Sequence, residues 1–206
     1  MMFDEAVLFT DIHFGMKNNS RQHNDDCENF ITWMIEESHK RGIRKCFFLG
    51  DWHHNRASIN VSTLNYTTSN LQRLNDEFDE VIMITGNHDL YYREKREIHS
   101  IPMVDRYKNI RMINDGIYEE DGVAFVPWLV EDEWKRLKEL KSKFIFGHFE
   151  LPNFYMNAMV QMPDAIAHLP AKMLLQVHDE LLFEVENHAV DELINLIKDG
   201  GDWVEQ

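Results

Sequence analysis

Four short apolar runs, each breaking off into a polar tip, constrain this chain more than any other feature of it. Residues 6–10 run into Asp11, 45–49 into Gly50-Asp51, 81–85 into Gly86-Asn87-His88-Asp89, and 143–146 into Gly147-His148. Runs of this length, bounded by turn residues, read as strands that feed loops. Between them, 25–41 and 61–78 carry apolar residues at helical spacing: Phe30, Trp33 and Met34 in the first, Leu64, Leu71 and Leu74 in the second. Gly42 is a suitable stop for the first of these helices. Alternation of strand and helix implies an α/β fold, a sheet with helices packed on its outer face. Residues 110–113, 117–120 and 123–126, separated by Asp115-Gly116 and Asp121-Gly122, read as a meander of short antiparallel strands.

In sheets of this kind ligands gather at the carboxyl ends of the strands, and the residues at these four tips are almost all of metal-ligand type. Asp11 and His13 are two apart, so an extended segment would send both side chains the same way, giving one oxygen and one nitrogen ligand. Asp51 follows a glycine that lets the backbone turn sharply, and its two carboxylate oxygens suffice to bridge two cations. Asn87 offers a neutral carbonyl oxygen and His148 an imidazole. A mixed nitrogen and oxygen set without thiolates suits manganese, iron or zinc rather than an iron–sulfur cluster or calcium. Two such cations would clamp a phosphodiester and make hydroxide available near neutral pH. His88 is then left to give a proton to the leaving oxygen, with Asp89 holding its imidazole in the required tautomer.

At these residues the sequence resembles the calcineurin-like metallophosphoesterase superfamily, whose motifs D-x-H, GD, GNHD and GH stand here as Asp11/His13, Gly50-Asp51, Gly86 to Asp89 and Gly147-His148. Within it, DIHFG, GDWHHNR and GNHDLYYR look like the SbcD-type DNA repair and recombination nuclease subunit of phage and bacteria. The resemblance covers about residues 5–160. It implies a four-layer α/β/β/α sandwich, truncated here, and exonuclease or endonuclease activity on DNA by a two-metal-activated water. It also implies two divalent metal ions, manganese first, with iron, zinc or magnesium as alternatives. Asp51 would serve both ions, Asp11 and His13 one, Asn87 and His148 the other, while His88 assists catalysis. The implied partners are DNA and an SbcC/Rad50-like ATPase subunit, with a homodimer as a further expectation, and the implied location is the cytoplasm, the host's if phage-encoded. A fifth family motif, G-H-x-H, is absent. After His148 the only histidines are His168, His178 and His188, none paired as H-x-H, so each metal would be one protein ligand short. A fusion that keeps only the fold, and a nucleotide or protein phosphatase of the same superfamily, are the competing readings.

Charge sets a limit on how such a protein meets DNA. The net charge is −15, and residues 1–160 hold 19 Lys and Arg against 26 Asp and Glu. Nucleic-acid binding by a protein's own field normally needs a basic balance, so divalent metals and a partner would have to supply the missing positive charge. Arg93 and Arg96, just after the GNHD tip, are the candidate phosphate contacts, with solvated loop charge as the plainer reading. His53 and His54 lie close enough to Asp51 to support it, His54 more so. Tyr91 and Tyr92 read as packing residues that could also stack on a base, and Trp33, Trp52 and Trp128 read as packing residues. Cys27 and Cys46 have no spacing of a zinc knuckle or disulfide framework. No apolar stretch is long enough to cross a membrane, and Met1 to Glu5 lacks the basic start of a signal peptide.

Residues 161–206 are a different kind of sequence, with 2 basic against 10 acidic residues. In 172–185 two apolar runs flank His178-Asp179-Glu180, the pattern of a β-hairpin with an acidic tip, and 189–197 fits a following helix. The segment resembles motif C in the palm of family A DNA polymerases, where the aspartate matching Asp179 helps to hold magnesium. The rest of a polymerase is missing, so polymerase activity is not expected. A join of two genes near Met162-Pro163-Asp164 accounts for both halves, giving domains of 1–160 and 161–206.

Overall fold

A computed structural model of the chain describes residues 2–148, 168, 171–177, 180–185 and 187–193. It divides into two units, Met1–His148 and Phe149–Gln206. The boundary expected near residue 160 lies outside the described residues.

In the first unit, β1 (Val7–Phe9), β2 (Lys45–Phe48), β3 (Glu80–Ile84) and β6 (Ile110–Ile113) form one four-stranded sheet in that order. All three of its ladders are parallel. α1 (Met16–Asn19) is a single turn, left-handed at Lys17 and Asn18, that leads into α2 (Arg21–Lys40); α3 (Val61–Glu77) follows β2. Ser20 caps α2 by accepting from the His23 N–H, and Asn60 caps α3 by accepting from the Ser62 N–H. A second sheet contains β7 (Tyr118–Glu120), β8 (Val123–Val126) and β9 (Phe144–Gly147), antiparallel between β7 and β8 and parallel between β8 and β9. A hairpin, β4 (Leu90–Tyr92) with β5 (Lys95–His99), stands between β3 and β6 in the chain.

The strands of the first sheet are apolar on both faces because each face has its own cover. Cys46 and Phe48 of β2, with Val81 and Met83 of β3, pack with Ile31, Met34, Leu71 and Leu74 of the two long helices. Phe47, Leu49, Ile82 and Ile84 point the other way and pack against Val123 and Phe125 of the second sheet. The rings of Phe47 and Phe125 meet edge to face at 5.0 Å. Helices, sheet and sheet thus make three layers, and a fourth layer of helix is not among the described elements.

Two expectations need correction. Ile110–Ile113 does not join a meander but pairs in parallel with β3, since an isolated apolar run shows burial without showing its partner. Trp33 is not a core residue; it is 57% exposed on the outer side of α2, whereas Trp52 and Trp128 are buried. Both cysteines are free and buried. In the second unit, β10 (Ala171–Val177) and β11 (Glu180–Val185) form the antiparallel hairpin expected there. His178 and Asp179, between these strands in sequence, lie outside the described residues. Among the described residues no helix is long and apolar enough to cross a membrane.

Candidate metal centre

Every carboxyl end of β1, β2, β3 and β9 delivers the tip that the sequence promised, and the loops are tied to one another through their backbones. The N–H of Asp11 donates to the Gly50 carbonyl and that of His13 to the Asp51 carbonyl, both at 3.0 Å. Asp11, His13 and Asp51 all sit in the left-handed region, with φ of 54°, 48° and 63°. Asp11 and His13 therefore converge by a strained local turn, not by extended alternation. Such backbone strain costs about 1–3 kcal/mol per residue and is characteristic of sites held in place by their surroundings.

Asp51 is the hub. Its Oδ2 lies 3.6 Å from the Nε2 of His13 and 3.6 Å from the Nε2 of His148. Its Oδ1 accepts the backbone N–H of His88 at 2.8 Å. The Oδ1 of Asp11 is 3.5 Å from the same His13 nitrogen. Asp11, His13 and Asp51 each offer a ligand atom within 4.8 Å of the others. His148 Nδ1 lies 2.8 Å from the Leu49 carbonyl, which can only accept, so Nδ1 carries the proton and Nε2 presents its lone pair toward Asp51.

Burial opposes the charge on His13, but Asp11 and Asp51 beside it outweigh that and hold its imidazole above the ordinary range. Burial likewise pushes the Asp11 carboxyl up, and the hydrogen bonds from His13 and Thr10 more than reverse it. The donor set therefore favours positive charge at its centre. The Nδ1 atoms of His13 and His54 are buried without a hydrogen-bond partner. Clustered carboxylates and imidazole lone pairs with unmet polar atoms fit divalent cations of the manganese, iron or zinc type.

His88 lies at this centre, its ring 5.0 Å from that of His13. Its Nδ1 is 2.7 Å from the carbonyl of His54, which fixes that nitrogen as the donor and leaves Nε2 open. The orienting group is this carbonyl and not Asp89. The Asp89 carboxylate, fully buried, accepts instead from the backbone N–H groups of Asp51, Trp52, His53 and Gly86 at 2.8–3.3 Å. It staples the two loops together. Burial, and then the nearby Asp51, push its pKa up to about 6 against the pull of those N–H groups. Asn87 follows Gly86 in the same turn, half-buried.

Arg96 is not available to phosphate. Its guanidinium is paired with Glu133 and donates to the Trp128 carbonyl at 2.6 Å. Arg93 is exposed and lies over the Trp128 ring, 5.7 Å from its centroid. Tyr91 and Tyr92 are exposed and pack on each other edge to face at 4.8 Å. His168, in the second unit, pairs with Glu192 at 3.3 Å.

Sequence reasoning gave His53 and His54 too little. His53 is buried, with its ring nitrogens 2.8 Å from the Ser100 hydroxyl and 2.7 Å from that of Thr67, and burial pushes its pKa down to about 4. His54 stacks on His88 with centroids 5.3 Å apart. The signal available was the doubled histidine one residue beyond the GD turn.

These features define a class: a parallel-sheet α/β protein with an aspartate–histidine centre of divalent-metal type at its strand ends. No family model matches the sequence. Over 153 residues it is 28% identical to exonuclease subunit 1 of Enterobacteria phage T4, a match that covers 70% of this chain. The chain spans 45% of that relative's length. The crystal structure of Pseudomonas putida nuclease MPE matches with a TM-score of 0.41 and 21% identity, over 59% of this chain and 52% of that one.

Proposed function

We propose that this chain is a divalent-metal-dependent phosphodiesterase acting on DNA, the catalytic portion of a nuclease subunit of the SbcD type. The observation that carries this reading is Asp51 Oδ2, 3.6 Å from both His13 and His148, where one carboxylate oxygen serves two sides of a single centre. The likeness to a phage exonuclease subunit supports the choice of DNA over a phosphoprotein or nucleotide.

In this reading Asp11, His13 and Asp51 hold one cation, and Asp51, Asn87 and His148 hold the other. When bound, the pair supplies Lewis acidity at phosphorus and lowers the pKa of attacking water. The chain's own residues do the rest. His148 keeps its Nε2 lone pair aimed inward because the Leu49 carbonyl holds the proton on Nδ1. His88, whose Nδ1–H is held by the His54 carbonyl, presents Nε2 to the centre, and in its doubly protonated form the ring would give the Nε2 proton to the leaving oxygen and revert to the neutral Nδ1–H tautomer. Asp89 holds the Gly86 and Asp51 backbones in one frame, so that His88 and Asp51 keep their mutual geometry. The negative surface leaves most of the neutralisation of the DNA backbone to the cations and to a partner subunit of the SbcC/Rad50-like ATPase type.

The test is cleavage of linear duplex and single-stranded DNA with manganese, by the chain and by Asp51→Asn and His88→Ala. Both substitutions should abolish cleavage, and His88→Ala should keep metal affinity measured by calorimetry. Cleavage that survives both, or turnover confined to nucleoside monophosphates or phosphopeptides, overturns the reading.

A further inference from the structure

The loop that carries Asp11 and His13 is held from two sides, and only one of them belongs to the centre. On the Asp51 side the grip is backbone to backbone: the N–H groups of Asp11, His13 and Phe14 donate to the carbonyls of Gly50, Asp51 and Trp52 at 2.8–3.0 Å. On the other side it comes from side chains of α2. His23 Nε2 lies 3.0 Å from the His13 carbonyl, which can only accept, so that nitrogen carries a proton. The Cys27 thiol donates to the Ile12 carbonyl at 3.1 Å. Burial, and then Asp26, push this thiol up to about 11, so it keeps the proton it donates. His23 and Cys27 are four apart and share one helix face, with Nε2 and Sγ 3.4 Å from each other. Asn24 beside them, fully buried, accepts the Gly15 N–H at 2.8 Å.

The two grips meet at His13. Of the peptide plane before it, the carbonyl is held by Cys27 and the N–H by Asp51; of the plane after it, the carbonyl is held by His23 and the Met16 N–H, and the N–H by Trp52. The orientations of these two planes are the φ and ψ of His13, whose φ is 48°. A residue other than glycine stays in that left-handed region only where its surroundings over-determine it. We infer that His23 and Cys27 are positioning residues of the metal centre, pinning the peptide planes that flank His13 so that its imidazole stays beside Asp11 and Asp51. The inference rests on the reading of Asp11, His13 and Asp51 as a cation site and deepens it. Neither His23 nor Cys27 joins the ligand-type clusters found among the described residues.

Cobalt(II) tests this without recourse to activity, because its visible absorption reports ligand number and geometry. The full chain, His23→Ala, His23→Gln and Cys27→Ala are titrated with cobalt by absorption and calorimetry, beside thermal melts. Ile31→Val, a change in the fully buried core face of the same helix, controls for lost stability. The unsubstituted chain should bind two ions. His23→Ala should weaken one of them by about tenfold and change the spectrum, while the second ion binds as before. Cys27→Ala should weaken the same ion, and it carries the test should His23→Ala fail to fold. His23→Gln should restore binding, since glutamine can donate to the His13 carbonyl but does not replace an imidazole ligand. Superimposable isotherms and spectra from folded variants overturn the positioning role and leave the two-cation reading standing. So does an equal loss of affinity in Ile31→Val, or a loss that glutamine fails to restore. Binding of fewer than two ions by the unsubstituted chain overturns the two-cation reading and the inference with it.

Discussion

Asp51 can stand where it does only because two neighbours have no side chain. A Cβ on Gly86 would lie 2.2 Å from Asp51 Oδ1 and 2.6 Å from its nitrogen, and one on Gly50 would lie 2.7 Å from the Gly86 nitrogen and from His148 Nδ1. The first contact cannot be relieved without moving Asp51, nor the second without moving the Gly86 backbone and the His148 ring. Gly86→Ala should therefore lower manganese affinity and cleavage by about a hundredfold or more, the scale on which a misplacement of about an ångström acts. Calorimetry beside a thermal melt checks this, and an unchanged affinity would refute it. At this scale the sequence was informative about identity and less so about direction. The residue types at the four tips named Asp11, His13, Asp51, Asn87, His88 and His148; the structure brings Asp11, His13, Asp51, His88 and His148 close to one another and places Asn87 half-buried in the turn beside them. Adjacency in sequence suggested that Asp89 serves His88, but neighbouring residues in a turn send their side chains apart. Asp89 points inward to four backbone donors while His88 faces the centre.

Among elements, the hairpin β4–β5 was not legible in advance, and its chemistry shows why. Tyr91 to Ile98 is charged and mostly exposed, without the alternation that marks a half-buried strand, and what holds it is a set of side-chain clamps. Arg96 and Glu133 tie it to the segment after β8, Asn114 donates to the Arg96 carbonyl, and His53 reaches Ser100 just beyond β5. Arg96→Ala leaves the half-buried Glu133 without its cation and should cost about 1–3 kcal/mol in urea unfolding. Its effect on the salt dependence of DNA binding should be nil, which separates a clamp from a phosphate contact. His53 adds a pH dependence. Its folded-state pKa, about 4, lies below the ordinary 6.5, so the unfolded chain takes up the proton first. Stability from His53 is complete above about pH 6.5 and is lost as pH falls toward 4, by about 3 kcal/mol in all. Urea midpoints at pH 7 and pH 5 should show that decline, and His53→Gln should flatten it; equal slopes in both proteins would refute the assignment.

For the whole molecule, charge is the property that composition already fixed, and the structure adds that several of the described cations are paired with acidic or aromatic neighbours. Arg44 pairs with Asp79, Lys45 with Glu80, Lys40 with Glu37, Lys135 with Asp132 and Arg96 with Glu133, while Arg111 lies over the Tyr118 ring. The centre itself gathers Asp11, Asp51 and Asp89. A polyanion approaching without metal meets like charge, and one approaching the loaded centre meets cations bound at the strand ends. Each phosphate neutralised by Lys or Arg adds about 0.9 to the slope of log K against log salt. The chain without a partner should therefore bind a short duplex weakly, with a slope of no more than about 3 in magnitude. That binding should vanish in EDTA and return with manganese. Fluorescence anisotropy over a series of sodium chloride concentrations, with the Asp51→Asn variant as the metal-poor control, measures both quantities. A steep slope that persists in EDTA would mean that side chains alone carry the DNA, and the dependence on metals and a partner would be wrong. A shallow, metal-dependent slope that steepens only when an ATPase subunit is added would place the missing positive charge on that subunit.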